Sequence, residues 1–200
     1  MAHKNTLDIP TTFEADRIYL RSYQPGDGSL LFEISQKNKD HLAKYESENA
    51  LLSIKTVQDA EALARDLSAE WQARNHFFFG AFDRHTDDFV AQIYLGPANW
   101  ELHEFVIGYI ADVNHEGQGF VTEAVKAVLS AIFHDLKANK VRLYCADTNQ
   151  RSWHVAERCG FHRQRHIPKN KPLPDGSIVG TYIYSLSRQE YLTQNKSSPQ

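Results

Sequence analysis

Cysteine is scarce in this 200-residue chain: Cys145 and Cys159 are the two thiols present, and they do not form a CxxC pair. That excludes a disulfide-held scaffold and fits a reducing compartment. Neither sign of charge prevails, with 22 Lys and Arg against 25 Asp and Glu for a net charge of −3. A chain-wide basic field for nucleic acid is therefore missing, and no nucleic-acid partner is expected. No apolar run approaches the roughly 20 residues that cross a bilayer, and MAHKNTLDIP has no apolar signal core. The expectation is a cytoplasmic protein with no membrane partner. Repeats and low-complexity tracts are absent as well. What is present is ordinary globular composition, 42% hydrophobic, 12% aromatic and 24% charged, enough for one domain with a real core.

Along the chain, residues 1–12 and 189–200 are polar and aperiodic and read as flexible termini around a domain at 13–188. Residues 13–23 alternate as a strand and stop at Pro25-Gly26-Asp27-Gly28. Helices are expected from 29 to about 45 and over 56–74, where Val57, Ala60, Leu63, Ala64, Leu67 and Trp71 recur at helical spacing. HFFFGAFD and DFVAQIYL read as a hairpin, and 105–110 as a central strand. Val121, Ala124, Val125, Val128, Leu129, Ile132, Phe133 and Leu136 define a long helix. A strand at 140–146, a helix at 149–159 closed by Gly160, a strand from Phe161, a proline-rich loop at 168–176 and a strand at 178–186 complete a mixed α/β order.

The central strand runs through Asp112-Val113-Asn114-His115-Glu116-Gly117-Gln118-Gly119 into the long helix. Backbone N–H groups of such a turn and of a helix's first turn offer partial positive charge to an anion such as a pyrophosphate. Gly117 and Gly119 let the backbone approach closely, and the helix dipole adds on the order of 0.5 to 2 kcal/mol. By itself, a pair of glycines before a helix is more often a plain turn. The turn lacks a third glycine for GxGxxG, and no Gly-Lys-Ser/Thr closes a P-loop. His115-Glu116 does not continue as HExxH, because Gly119 stands where the second histidine would be, and no metal site is expected.

These residues resemble the GNAT acyltransferases, whose acetyl-CoA motif is Gln/Arg-x-x-Gly-x-Gly/Ala at a strand-to-helix turn. The matching window is Glu116-Gly117-Gln118-Gly119-Phe120-Val121, flanked by Gly108-Tyr109 and Thr122-Glu123-Ala124; Glu116 and Val121 depart from the pattern. A second window, NQRSWHVAERCGF at 149–161, resembles the Asn-x-x-Ser helix ending in Gly-Phe of the RimJ/RimL-like branch, which acetylates ribosomal-protein N-termini. The resemblance implies the GNAT fold, a single-domain mixed sheet flanked by helices with splayed central strands. It further implies acetyl-CoA held by Ile110, Ala111, Val113, Glu116, Gly117, Gln118, Gly119, Phe120, Val121, Thr122, Asn149 and Ser152. Since a carboxylate repels phosphate, Glu116 is expected to bind through its backbone with its side chain turned to solvent.

The resemblance places Asn149 on the pantetheine arm, a role compatible with simple helix capping. It places Ser152 beside the sulfur as a proton donor to the departing thiolate, against capping or plain exposure. A bulge at Gly108 is expected to free N–H groups near Ile110 for the thioester oxygen, at roughly 3 kcal/mol per donor; a packing glycine is the plain alternative. For the base, Glu101, His103, Glu104 and Asp112 are candidates, with Glu104 first; each is equally at home as a surface charge. The acceptor is an amine that must be neutral to react. About a tenth of an α-amine is neutral at pH 7, against well under a thousandth of a lysine, which favours a protein N-terminus. A small amine such as an antibiotic or polyamine is the alternative, and a CoA-binding regulatory module is the non-enzymatic one. Assembly as monomer or homodimer stays open.

Overall fold

A computed structural model describes residues 9–44 and 46–196. Its strands are β1 (Thr12–Glu14), β2 (Ile18–Ser22), β3 (Phe77–Asp83), β4 (Phe89–Asn99), β5 (Glu104–Ala111), β6 (Lys140–Ala146), β7 (His162–Pro172) and β8 (Ile178–Ser187). The helices are α1 (Gly28–Ala43), α2 (Val57–Gln72), α3 (Phe120–His134), α4 (Gln150–Arg158) and α5 (Arg188–Lys196), with a 3-10 turn at Ala50–Ser53. The strands form one sheet in the order β1-β2-β3-β4-β5-β6-β8-β7.

Strand alternation sends successive side chains to opposite faces, so each face has its own core. On one, Val125, Val128, Leu129, Ile132 and Phe133 of α3 pack on Ile18, Leu20, Phe79, Ile93 and Ile107. On the other, Leu31, Ile34 and Leu42 of α1 and Ala60 and Ala64 of α2 cover Tyr23, Phe82, Phe89 and Ile110. Each fully buried large aliphatic or aromatic side chain contributes about 1.5–3 kcal/mol, enough to set which face every strand presents.

The feature that matters for function is at the centre. β5 and β6 run parallel and pair only at Glu104↔Lys140, Phe105↔Val141 and Val106↔Arg142. Beyond them β5 stays with β4 as far as Ala111↔Ala91, and β6 stays with β8 as far as Ala146↔Thr181. The sheet therefore opens into a V, as expected for splayed central strands. Tyr109 bridges the opening, its phenol donating to the carbonyl of Ser152 on α4 at 2.6 Å.

Four expectations change. Residues 13–23 make two paired strands, β1 and β2, because the Ala15 N–H bonds back to the Ile18 carbonyl at 2.9 Å. The loop at 168–176 shrinks, because β7 continues to Pro172, and a shift of register between Ile167 and Lys171 absorbs Pro168 on a strand that lies at the sheet edge. The expected C-terminal tail contains α5, whose Tyr191 stacks on Phe133 at 4.5 Å; residues 197–200 lie outside the described residues. At the N-terminus Ile9 is already in the core, and residues 1–8 lie outside the described residues.

Candidate active site

The glycine turn is built on a buried carboxylate. Asp112, just past β5, is completely buried and accepts from Asn38 Nδ2 at 3.1 Å, His115 Nδ1 at 2.7 Å and the Asn114 N–H at 3.1 Å, with Lys37 Nζ at 3.1 Å. Asn38, equally buried, completes the clasp by accepting the Val113 N–H at 2.8 Å. Desolvation pushes the Asp112 carboxyl up, but these donors outweigh it and hold the group below the ordinary aspartate value. Asp112, a candidate base in the sequence, is thus a fully engaged anchor. From it the chain reaches Gly117 and Gly119, both left-handed at φ 74° and 86°.

Gly119 is the N-cap of α3, and no side chain caps the helix. By contrast Asn149 and Thr56 cap α4 and α2 with their side chains. The first-turn N–H groups of α3 thus have no capping side chain. Phe120 turns its ring into the core, leaving only its backbone for binding. Arg17, from the β1–β2 turn, clamps the loop from outside through Glu123 (2.8 Å) and the Gln118 carbonyl (3.1 Å).

Glu116 does not turn to solvent. Its side chain is 22% exposed and sits between Arg151 of α4, to which it is hydrogen-bonded, and His41 Nε2 of α1 at 3.4 Å. An ion pair, rather than rotation outward, offsets its charge.

Two clefts meet at the open V. One, about 470 Å³, is bordered by Ile110, Ala111, Glu116, Val121, Asn149 and Ser152, together with His41, Lys44 and Arg151. The other, about 750 Å³, lies on the α1–α2 side over Gln92, Tyr94, Val106, Gly108 and Ile110, with Glu46, Glu48, His76 and Lys171 around it. Glu46, Tyr109, Ile110, Asn149 and Ser152 border both. Of the expected cofactor residues, Val113, Gly117, Gln118, Gly119, Phe120 and Thr122 form the turn above the first cleft without bordering it.

No bulge occurs at Gly108, which faces Tyr94 in an unbroken register; the β4–β5 irregularity lies between Pro97 and Asn99. The splay itself frees backbone groups. Asp112 N–H bonds to the opposite Val90 carbonyl at 3.0 Å, so antiparallel alternation turns Ile110 toward β4 and leaves Tyr109 and Ala111 facing the V. The oxyanion donors expected near Ile110 thus shift to its neighbours.

Ser152 is half-buried at the junction, its N–H donating to Asn149 Oδ1 at 3.2 Å and its hydroxyl 3.4 Å from the Tyr109 phenol. Asn149 therefore caps α4 while bordering both clefts. Glu104 is elsewhere: it lies where β5 and β6 are still paired and binds Arg142 Nη1 at 2.6 Å. His103 turns back to the Leu136 carbonyl at 3.3 Å, and Glu101 is exposed outside the clefts. Sequence spacing missed Glu46, Tyr94 and His41 because they reach the site from the segment after α1, from a strand one removed from the V and from α1 itself. Arg151 and Tyr109 stood inside the quoted motifs, without a role. Among the described residues no group of three His, Cys, Asp or Glu could hold a metal, and no helix is long and apolar enough to cross a membrane.

An open V between parallel strands beside an uncapped helix turn defines the acyl-CoA N-acyltransferase architecture. The model of the acetyltransferase (GNAT) domain matches residues 17–162, and the chain belongs to this family of acyltransferases. It is 25% identical over 183 residues to the uncharacterized N-acetyltransferase p20 of Bacillus licheniformis, covering 90% of this chain and 98% of that one. In structure it is similar to the ribosomal-protein-S5-alanine acetyltransferase of Vibrio fischeri (TM-score 0.79, 18% identity, 92% and 99% of the two chains). The ribosomal L7/L12 alpha-N-protein acetyltransferase RimL, solved in complex with coenzyme A, is equally similar (TM-score 0.79, 16% identity, 88% and 97%).

Proposed function

We propose that this protein transfers an acetyl group from acetyl-CoA to a primary amine, foremost a protein N-terminal α-amine, in the cytoplasm. The observation that carries this reading is the meeting of the two clefts at Asn149, Ser152 and Tyr109, one leading from the uncapped α3 turn and the other open to an acceptor. The α3 turn holds the pyrophosphate and Asn149 the pantetheine arm. Acetyl-CoA supplies the activated acyl group as a thioester; the residues of the V supply its position. Tyr109 and Ala111 present backbone groups to the acyl oxygen, and the Ser152 hydroxyl supplies a proton to the sulfur.

Acceptor choice rests on charge and size. Glu46 and Glu48 at the acceptor cleft favour a cationic partner. Desolvation raises the Glu46 carboxyl and Lys171 draws it partly back. An α-amine suits it because about a tenth is already neutral at pH 7. RimL and the Vibrio fischeri enzyme act on ribosomal proteins according to their names, which supports the same acceptor class here. A small amine is the second reading, favoured by a cleft of about 750 Å³, within the ordinary range for small-ligand sites. Two buried unpaired thiols are consistent with the reducing cytoplasm.

The test is calorimetric titration with acetyl-CoA, followed by thiol release with N-terminal peptides, polyamines and aminoglycosides. Binding with peptide-dependent release supports the first reading, and release with small amines alone supports the second. A protein that binds no acetyl-CoA refutes both.

A further inference from the structure

Of the titratable side chains that β4, β5 and β6 bring to the acceptor cleft, Tyr94, Tyr109, Tyr144 and Cys145, it is Tyr94 that is paired with a histidine. On β5 the cleft is bordered by Val106, Ile107, Gly108, Tyr109 and Ile110, and the Tyr109 phenol already donates to the Ser152 carbonyl at 2.6 Å. Across the register on β4 stand Gln92, opposite Ile110, and Tyr94, opposite Gly108. Tyr94 is placed with care. Its ring meets Phe78 at 4.9 Å, and its hydroxyl lies over Gly96, where a Cβ would come within 2.0 Å of it. On the other side a Cβ at Gly108 would stand 3.6 Å from the ring, so a larger side chain there would cover the phenol's approach to the V. The Tyr94 hydroxyl is 3.0 Å from Nδ1 of His76, which is exposed.

We infer that Tyr94 and His76 form the relay that deprotonates the acceptor ammonium, with Tyr94 touching the amine and His76 acting through it. This rests on the acetyltransferase reading above. The ammonium gives a proton to Tyr94 Oη while the phenolic proton passes to His76 Nδ1. The imidazolium, exposed to water, then releases a proton to solvent. The neutral amine attacks the acyl carbon; the C–N bond forms, the C–S bond breaks with its electron pair leaving on sulfur, the nitrogen gives up a proton to become the neutral amide, and the sulfur takes one, so the transfer itself neither gains nor loses protons. Burial raises the Tyr94 phenol above its ordinary value, so it stays protonated and cannot serve as a base unaided; the histidine makes it one. The Glu46 and Glu48 carboxylates and Tyr109 border the same cleft, Glu46 holding the cation rather than removing its proton.

The experiment compares Tyr94→Phe, His76→Gln and Gly96→Ala with the parent on acceptors of graded amine pKa, from an alkylamine to a hydrazide. Gly96→Ala displaces the phenol without changing either relay residue. All three should lose roughly 10²-fold in kcat on the alkylamine. Their acetyl-CoA affinity should be unchanged, and the deficit should shrink to within a few-fold on the hydrazide, which is neutral at assay pH. Misfolding or misplacement would lower all acceptors alike, so a uniform loss overturns the relay. Parent-level rates in Tyr94→Phe or Gly96→Ala overturn it too. A parent that binds no acetyl-CoA instead refutes the acetyltransferase reading, which keeps the two failures apart.

Discussion

Asp112 and Asn38, both completely buried, meet at 3.1 Å across the seam between α1 and the end of β5. This contact ties α1, whose His41 and Leu42 border the smaller cleft, to the glycine turn that follows β5. Asn38→Ala strands one oxygen of Asp112 and the Val113 N–H without their partner. The expected cost is about 1–3 kcal/mol in urea unfolding, with weaker acetyl-CoA binding alongside. Unchanged stability would mean that water replaces the amide.

Acid should unfold the protein from the same place. Asp112 is held below its ordinary value, as are Asp59, Asp83, Asp175 and Glu190 through hydrogen bonds they accept. A carboxyl depressed in the folded state contributes stability that is complete above the unfolded value of about 4 and drains away as pH falls through the folded value. Melting temperature should therefore be lost as pH falls from about 5 to 3, and Asp112→Asn should lower the plateau and flatten that slope. A fall confined to pH 7–5 would contradict this.

Glu116→Gln removes the negative charge at the mouth of the cofactor cleft while keeping a hydrogen-bonding partner for Arg151. Acetyl-CoA should bind about fivefold tighter, on the order of 1 kcal/mol for one unit charge near solvent, with the gain fading at high salt. Weaker binding in calorimetry would mean that the carboxylate positions Arg151 and His41 for the phosphates.

Gly117→Ala and Gly119→Ala both force a side chain onto a left-handed backbone, at about 1–2 kcal/mol each. Their surroundings differ: a Cβ at Gly117 meets open space, whereas at Gly119 it lies 3.5 Å from the Arg17 guanidinium. Acetyl-CoA affinity should fall more for Gly119→Ala, which sits at the cap of α3. Equal losses would place the phosphates away from the cap.

Cys145 and Cys159 should resist alkylation in the folded protein. Burial pushes their thiols up to about 11 and about 12, respectively, and both are less than 9% exposed. Iodoacetamide at pH 8 should label them only under denaturing conditions, as read by mass spectrometry. Saturating acetyl-CoA should leave Cys159 unaffected. Rapid native labelling of Cys145, which borders the acceptor cleft, would show that the V opens further in solution.

Much of this was legible in the residues. The apolar repeat from Val121 to Leu136 specifies α3 because a period of 3.6 has one way to bury its stripe, and the two glycines ahead of it mark a turn that other residues enter only at a cost. Asn149 and Ser152 are local to one helix start, so spacing alone places them together. The acceptor side is different. Glu46 comes from the segment after α1, His76 from just before β3, and Tyr94 and Gly108 from β4 and β5, and nothing local distinguishes Glu104, paired away with Arg142, from a carboxylate facing the V. Periodicity and turn chemistry, which act over a few residues, determined the elements and the phosphate turn. Where β5 leaves β6, and hence which charged groups converge there, was decided only by the tertiary packing, which joins residues more than a hundred positions apart, as His41, Glu116 and Arg151 show.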